Sequence, residues 1–157
     1  NTQSTTIPSI KIKISSLLRD SFKDSLSLLM PELVYQKTEY KDVVQEITYF
    51  FSEQIKKARA AGIHDIVVDP GFGFGKSSAQ NFTLLQHLNH FESLKCPIIV
   101  GVSRKSMIYK TLGSTPEEAL NGTTALHAWA LERGARILRV HDVKPAKECI
   151  ELWETLQ

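Results

Sequence analysis

The sequence is short of cysteine, of long apolar runs and of net charge, and each shortage excludes something. Only Cys96 and Cys149 occur in 157 residues, and they follow no metal-binding spacing. Cys96 opens an apolar run and Cys149 lies on a helical apolar face, so both read as reduced, small core residues of a cytosolic protein. The longest apolar stretch, Pro97 to Val102, is the size of a strand and far below a membrane span. No secretory signal is visible. Net charge is +2, from 19 basic and 17 acidic residues. That balance gives no long-range attraction to nucleic acid or to a membrane surface.

What is present is ordinary globular composition, with 42% hydrophobic and 23% charged residues, sufficient for one domain with a sizeable core. The first 37 residues differ in character from the rest and carry no assignment beyond local patterns. Residues 1–9 are polar and rich in Ser and Thr, the composition of a disordered end. Ile10 to Ile14 alternates apolar and basic residues, the period of a half-buried strand. Leu17 to Met30 fits a helix or a strand. The chain opens on Asn1 rather than Met, which raises the expectation of an upstream segment.

From residue 38 to 157 the pattern is regular. Val43, Val44, Ile47, Phe50, Phe51, Ile55 and Ala58 recur at helical spacing, and Gly62 stops the helix. Ile66-Val67-Val68 reads as a buried strand, Asn81 to Phe91 as a helix, and Pro97 to Val102 as a second strand. Thr115-Pro116-Glu117-Glu118 is a capping-box pattern with Thr115 as N-cap. Asn121-Gly122 interrupts that helix, which resumes from Thr123 to Arg133. Ala135 to His141 is a third strand, and Pro145 to Leu156 a last helix. This alternation predicts a parallel sheet covered by helices. Periodicity alone does not separate a (β/α)8 barrel from a doubly wound sheet.

Polar residues close all three of these strands: Asp69, then Ser103-Arg104-Lys105, then Arg139 and His141. In α/β barrels that end of the strands holds the active site. Asp69 is either a turn aspartate before Pro70-Gly71 or a buried carboxylate awaiting a ligand. The alternating Gly and Phe of Gly71 to Lys76 lets backbone approach a flat ligand while rings pack around it. The segment is neither a P-loop nor a dinucleotide fingerprint, and Lys76 reads as a solvated loop lysine. Ser103-Arg104-Lys105 is either a solvated basic loop or a set of donors aimed at a ligand. Alternation along a strand puts Arg139 and His141 on one face, a good anion site unless Arg139 is committed to Asp142 or another acid. His64, His87, His90 and His127 read mostly as solvated. Trp129 and Trp153 read as core or subunit contacts.

Asp69-Pro70-Gly71-Phe72-Gly73-Phe74-Gly75-Lys76, Gly101-Val102-Ser103-Arg104-Lys105-Ser106-Met107-Ile108 and Arg139-Val140-His141-Asp142-Val143 together resemble the dihydropteroate synthase family, in its order and at its spacing. The resemblance runs from about Thr38 to the C-terminus. It implies an α/β fold of the (β/α)8 TIM-barrel class, here the C-terminal part of the barrel. It further implies condensation of 6-hydroxymethyl-7,8-dihydropterin diphosphate with 4-aminobenzoate in folate biosynthesis, with Mg2+ assisting the leaving diphosphate. By the same resemblance Asp69 takes the pterin's guanidine-like edge, Lys105 donates to the ring, and Phe74 and Gly101 line the pocket. Ser103 falls near the aminobenzoate site, which sulfonamides also occupy, and Arg139 and His141 hold the diphosphate. Family members commonly dimerise through their last helices, which implies a homodimer. The family's first-strand asparagine and first two loops have no counterpart in residues 1–37, and no metal ligand is found. Leu26 to Met30 matches the remnant of one earlier strand. A non-catalytic pterin-binding or assembly module is the alternative to a transferase.

Overall fold

The structure is a computed structural model that describes residues 39–157 and, upstream of them, the backbone of residues 11–14 and 27–29. Five strands form one parallel sheet: β1 (Lys11–Ile14), β2 (Ser27–Leu29), β3 (Ile66–Val68), β4 (Ile98–Val100) and β5 (Ala135–Val140). Their spatial order is β1-β5-β4-β3-β2. The alternating Ile-Lys segment is thus a strand, and the ambiguous stretch before Pro31 contributes another. The expectation of disorder over residues 1–9 lies outside the described residues.

The helix α1 (Val43–Ala60) begins where Asp42 accepts hydrogen bonds from the N–H groups of Val44 and Gln45, both at 3.0 Å. Glu46 reaches back to the N–H of Lys41 at 2.8 Å. These contacts satisfy the free donors that every helix start leaves. Gly62, at φ +84°, ends the run in the left-handed region. Val43, Val44, Ile47, Phe51 and Ile55 bury one stripe of α1. Phe51 meets Phe91 edge to face, with ring centroids 6.1 Å apart. Burying each such side chain contributes about 1.5–3 kcal/mol.

The helical run expected over Asn81 to Phe91 divides in two. The helix α2 (Ser78–Gln86) starts at a reciprocal Ser77–Gln80 capping box, and a 3-10 helix (Leu88–Leu94) follows it. Next come α3 (Ser106–Leu112), α4 (Leu120–Glu132) and α5 (Val143–Thr155). Two expectations fail around α4. The reciprocal bonds of Thr115 and Glu118 exist, at 3.2 and 3.4 Å, but Pro116 to Ala119 form turns and the helix starts at Leu120. The guanidinium of Arg104 takes the carbonyls of Pro116 and Glu117, at 2.7 and 2.6 Å, which offers those oxygens partners other than a continuing helix. Asn121-Gly122 does not interrupt α4. A Cβ on Gly122 would lie 2.6 Å from Cγ2 of Ile108 and 2.9 Å from a methyl of Leu112, so this glycine is what lets α4 approach α3.

Strands β3 and β4 are buried at every residue, as expected of inner strands of a parallel sheet. In β5, Leu138 and Val140 are buried, whereas Ile137 and Arg139 are half-buried on the other face. That less covered face carries the polar residues described next. Both cysteines are free thiols, and among the described residues no helix is long and apolar enough to cross a membrane.

Candidate active site at the strand ends

Asp69 follows β3 directly and its side chain has no exposure at all. Oδ1 accepts from the N–H of Gly71 at 2.9 Å, a local turn bond. Oδ2 stands 3.2 Å from Nη1 of Arg139, close enough for an ion pair, yet it receives no aligned hydrogen bond. Burial pushes the carboxyl's pKa above its ordinary value, against the pull of Arg139 and of the Gly71 N–H. Asp69 is therefore both a turn residue and a buried acceptor with one oxygen left over. A buried acceptor placed so is a candidate for a donor brought by a ligand.

The loop after Asp69 is fixed from below. Phe72 is fully buried in the core. Asn81, also buried, accepts from the N–H of Gly73 at 2.8 Å and donates to the carbonyls of Lys76 and Ser77 at 3.3 and 2.9 Å. Lys76 is not the solvated lysine expected from sequence. It folds back to donate to the carbonyls of Gly71 at 2.9 Å and Phe74 at 3.1 Å, and burial lowers its pKa to about 8. The sequence reading contains neither role. The signal that could have found Asn81 is the Ser77-x-x-Gln80 cap, which places it within the first turn of the helix, facing the loop.

Gly73 provides the seat for Lys105. With φ +78°, it would carry a Cβ only 2.9 Å from Cδ of Lys105. The Lys105 ammonium lies 4.2 Å from the centroid of the Phe74 ring, a cation–π contact. Burial, then repulsion from Arg139, lowers the pKa of Lys105. Gly101 does for Arg139 what Gly73 does for Lys105. A Cβ there would come within 2.6 Å of Nη2, so the guanidinium rests on bare backbone.

Ser103 is buried, and its Oγ accepts from the N–H of His141 at 3.2 Å and lies 3.0 Å from Nδ1 of the same residue. That pair fixes the exposed imidazole at the end of β5. Arg104, at φ +53°, is not aimed at a ligand. It forms a two-pronged ion pair with Asp142, at 2.8 and 2.9 Å, and its backbone N–H donates to Thr123 Oγ1 at 3.0 Å. Asp142 is thus the partner of Arg104 and not of Arg139, and the pairing lowers its pKa. His64, His87 and His90 are exposed, but His127 is buried with Nε2 unbonded, and burial lowers its pKa to about 4.

The structure thus brings Asp69, Phe74, Gly101, Ser103, Lys105, Arg139 and His141 to one end of three adjacent strands. A buried carboxylate, an aromatic face, two cations and a histidine suit a flat, nitrogen-rich ring that carries an anionic arm. Among the described residues no ligand for the magnesium that the resemblance implies is assigned. Asp69 is engaged by Gly71 and Arg139, Asp142 by Arg104, and no three His, Cys, Asp or Glu residues cluster among the described residues.

A parallel sheet covered by helices, with its polar residues at the strand ends, defines an α/β protein with a candidate site at those ends. Comparison with known proteins narrows the class. Residues 28–141 match the family described as pterin binding enzyme, and the chain belongs to that family. It is 41% identical over 126 residues to the dihydropteroate synthase of Escherichia coli, covering 79% of this chain and 45% of that protein. The solved dihydropteroate synthase of Thermus thermophilus in complex with 6HMPPP superposes with a TM-score of 0.75 at 38% identity, over 84% of this chain and 52% of the other. The Xanthomonas albilineans dihydropteroate synthase with 4-aminobenzoic acid gives 0.76 at 40% identity, over 84% and 48%. The sheet is part of a (β/α) barrel of that type, and the chain spans about half the length of the relatives it matches.

Proposed function

We propose that this chain forms the pterin- and diphosphate-binding part of a dihydropteroate synthase. The observation that carries the reading is the convergence of Asp69, Lys105 and Arg139 at neighbouring strand ends. Asp69 accepts the guanidine-like edge of the pterin through its carboxylate, whose Oδ2 receives no hydrogen bond from the protein. Lys105 donates to the ring from its seat on Gly73 and Phe74. The aromatic amine of 4-aminobenzoate attacks the pterin's exocyclic methylene, forming a carbon–nitrogen bond as the carbon–oxygen bond breaks. The electron pair leaves with pyrophosphate, and the amine gives up a proton. Arg139 and His141 face the leaving group and stabilise the charge that gathers there. Ser103 orients His141 and stands beside the place taken by 4-aminobenzoate, where a sulfonamide would compete.

The same reading includes a cytoplasmic setting and self-association through α4 and α5. Of the two tryptophans on these helices, Trp129 is exposed, whereas Trp153 is half-buried against the core and donates to Glu132 at 3.3 Å; Leu152 and Leu156 add exposed apolar surface. Sedimentation at micromolar concentration should show a dimer, and a monomer would refute that part.

The decisive assay is pyrophosphate release from the pterin diphosphate with 4-aminobenzoate and magnesium. The isolated chain should bind the pterin weakly and show negligible turnover, because positioning two substrates contributes roughly 7–11 kcal/mol to such a reaction. Failure to complement a strain lacking the synthase, with pterin affinity retained, would favour the second reading, a binding module. The half-length match to complete synthases is the observation behind that alternative.

A further inference from the structure

The ligand oxygen of Asp69 is not freely available in this structure. Oδ1 already accepts from the Gly71 N–H, and an incoming pterin edge, which presents two N–H groups, needs Oδ2 as well. Arg139 stands over that atom at 3.2 Å, with its guanidinium lying on Gly101. Yet the contact lacks hydrogen-bond alignment and leaves Oδ2 formally unsatisfied. Arg139 is a flexible side chain, about one quarter exposed, facing a carboxylate that is wholly buried. The pairing is near enough to compete with a ligand and too poorly aligned to be a settled structural bridge.

We propose that Arg139 is shared between Asp69 and the diphosphate, so that the anionic arm of the substrate draws it away and exposes the pterin acceptor. The inference rests on the proposed pterin site and goes beyond it in naming what selects the substrate. A pterin bearing a diphosphate brings its own replacement partner for the guanidinium. A pterin without one must displace Arg139 unaided, and so binds less well. The condensed product has lost the diphosphate. Once pyrophosphate departs, Arg139 returns to Asp69 and opposes the product's pterin edge. One residue thus favours entry of the activated substrate and exit of the product.

Such sharing requires reciprocal coupling between two ligands that never touch the same protein atom. If pyrophosphate favours the displaced state of Arg139, it must raise pterin affinity, and the pterin must raise pyrophosphate affinity by the same factor. Couplings of this kind are typically roughly 5–150-fold.

The test is calorimetry on the full chain with a pterin lacking phosphate, 6-hydroxymethylpterin, with and without saturating inorganic pyrophosphate. Pyrophosphate should tighten pterin binding at least about fivefold. In Arg139→Met the unphosphorylated pterin should bind at least as tightly as in the parent chain, and pyrophosphate should no longer help. Gly101→Ala, which pushes the guanidinium off its seat, is a second variant expected to lose the coupling. Pterin affinity that ignores pyrophosphate, or that falls in Arg139→Met, overturns the inference while leaving the pterin site intact. No pterin binding under any condition overturns the site and the inference together.

Discussion

The loops after β3 and β4 solve the same problem by opposite means. Each must hold a ligand-facing group steady where the chain leaves the sheet. The β3 loop braces itself: Lys76 ties the carbonyls of Gly71 and Phe74, and Asn81 anchors Gly73. The β4 loop is braced from a distance, with Arg104 reaching Asp142, Pro116 and Glu117 while Thr123 takes its N–H. Each loop therefore commits one cation to structure, Lys76 or Arg104, whereas the Lys105 ammonium lies over the Phe74 ring and Arg139 stands 3.2 Å from Asp69 without hydrogen-bond alignment. A basic residue near a site is a weaker ligand candidate once aligned hydrogen bonds to backbone carbonyls or to an acid hold it.

The largest expected difference between the loops is in their response to acid. His127 packs behind the β4 brace and feels the charge of Asp142. Its folded pKa, about 4, lies below the ordinary 6.5, so the unfolded chain binds the proton more readily between those values. Stability should fall as pH drops through that window, by something on the order of 3 kcal/mol. Denaturant melts of His127→Leu should show a flatter profile there, and an unchanged slope would clear His127. Asp69 in the β3 loop has the opposite sign. Its folded pKa is raised, so its charge costs stability above that pKa and the cost disappears as pH falls through it.

Next in size is Asp69→Asn, which keeps the bond from Gly71 but removes the charge. Pterin-analogue affinity should fall at least about tenfold, a loss of roughly 1.5–3 kcal/mol. The same variant should melt no lower than the parent chain at neutral pH, because a desolvated charge is gone. Thr123→Val should cost about 1 kcal/mol by removing the acceptor for the Arg104 N–H, and the loss should be seen in global stability because that brace crosses the fold. The smallest effect should come from Lys76→Met. Two carbonyl bonds are lost and a desolvated ammonium is relieved, so global stability should move by less than about 1 kcal/mol. The change should instead appear in the hydrogen exchange of Phe74, whose N–H donates to Gly71 across the same turn.

What is legible in the sequence follows from this contrast. Strands β3, β4 and β5 and the residues closing them are readable because short β-branched runs and strand-end polarity are local signals. The seven candidate site residues lie at those ends. Long-range bracing is not local, and it accounts for most of the differences between expectation and structure. Nothing near Arg104 in sequence announces Asp142 or the Pro116 carbonyl, so a clamp looks like a donor loop. The same reach accompanies the late start of α4, and the bulk of Ile108 explains a Gly122 that looks like a break. Lys76 misleads for the reverse reason, since its partners lie so close in the chain that only the turn's geometry reveals them.

The ladder between β1 and β5 joins Lys11 to Ile137 and Lys13 to Arg139, nearly the two extremes of the chain. Contacts of that span carry the highest loop-closure cost and so belong late in folding. Closer material exists, since β4, α3, α4 and β5 follow one another, with β4 paired to β5 and α4 packed on β5. Until β1 arrives, the flank of β5 that holds Arg139 is an unpaired strand edge, the kind of surface on which nascent chains mispair. Hydrogen exchange should accordingly find the ladder of β1 on β5, beside Arg139, the least protected part of the sheet.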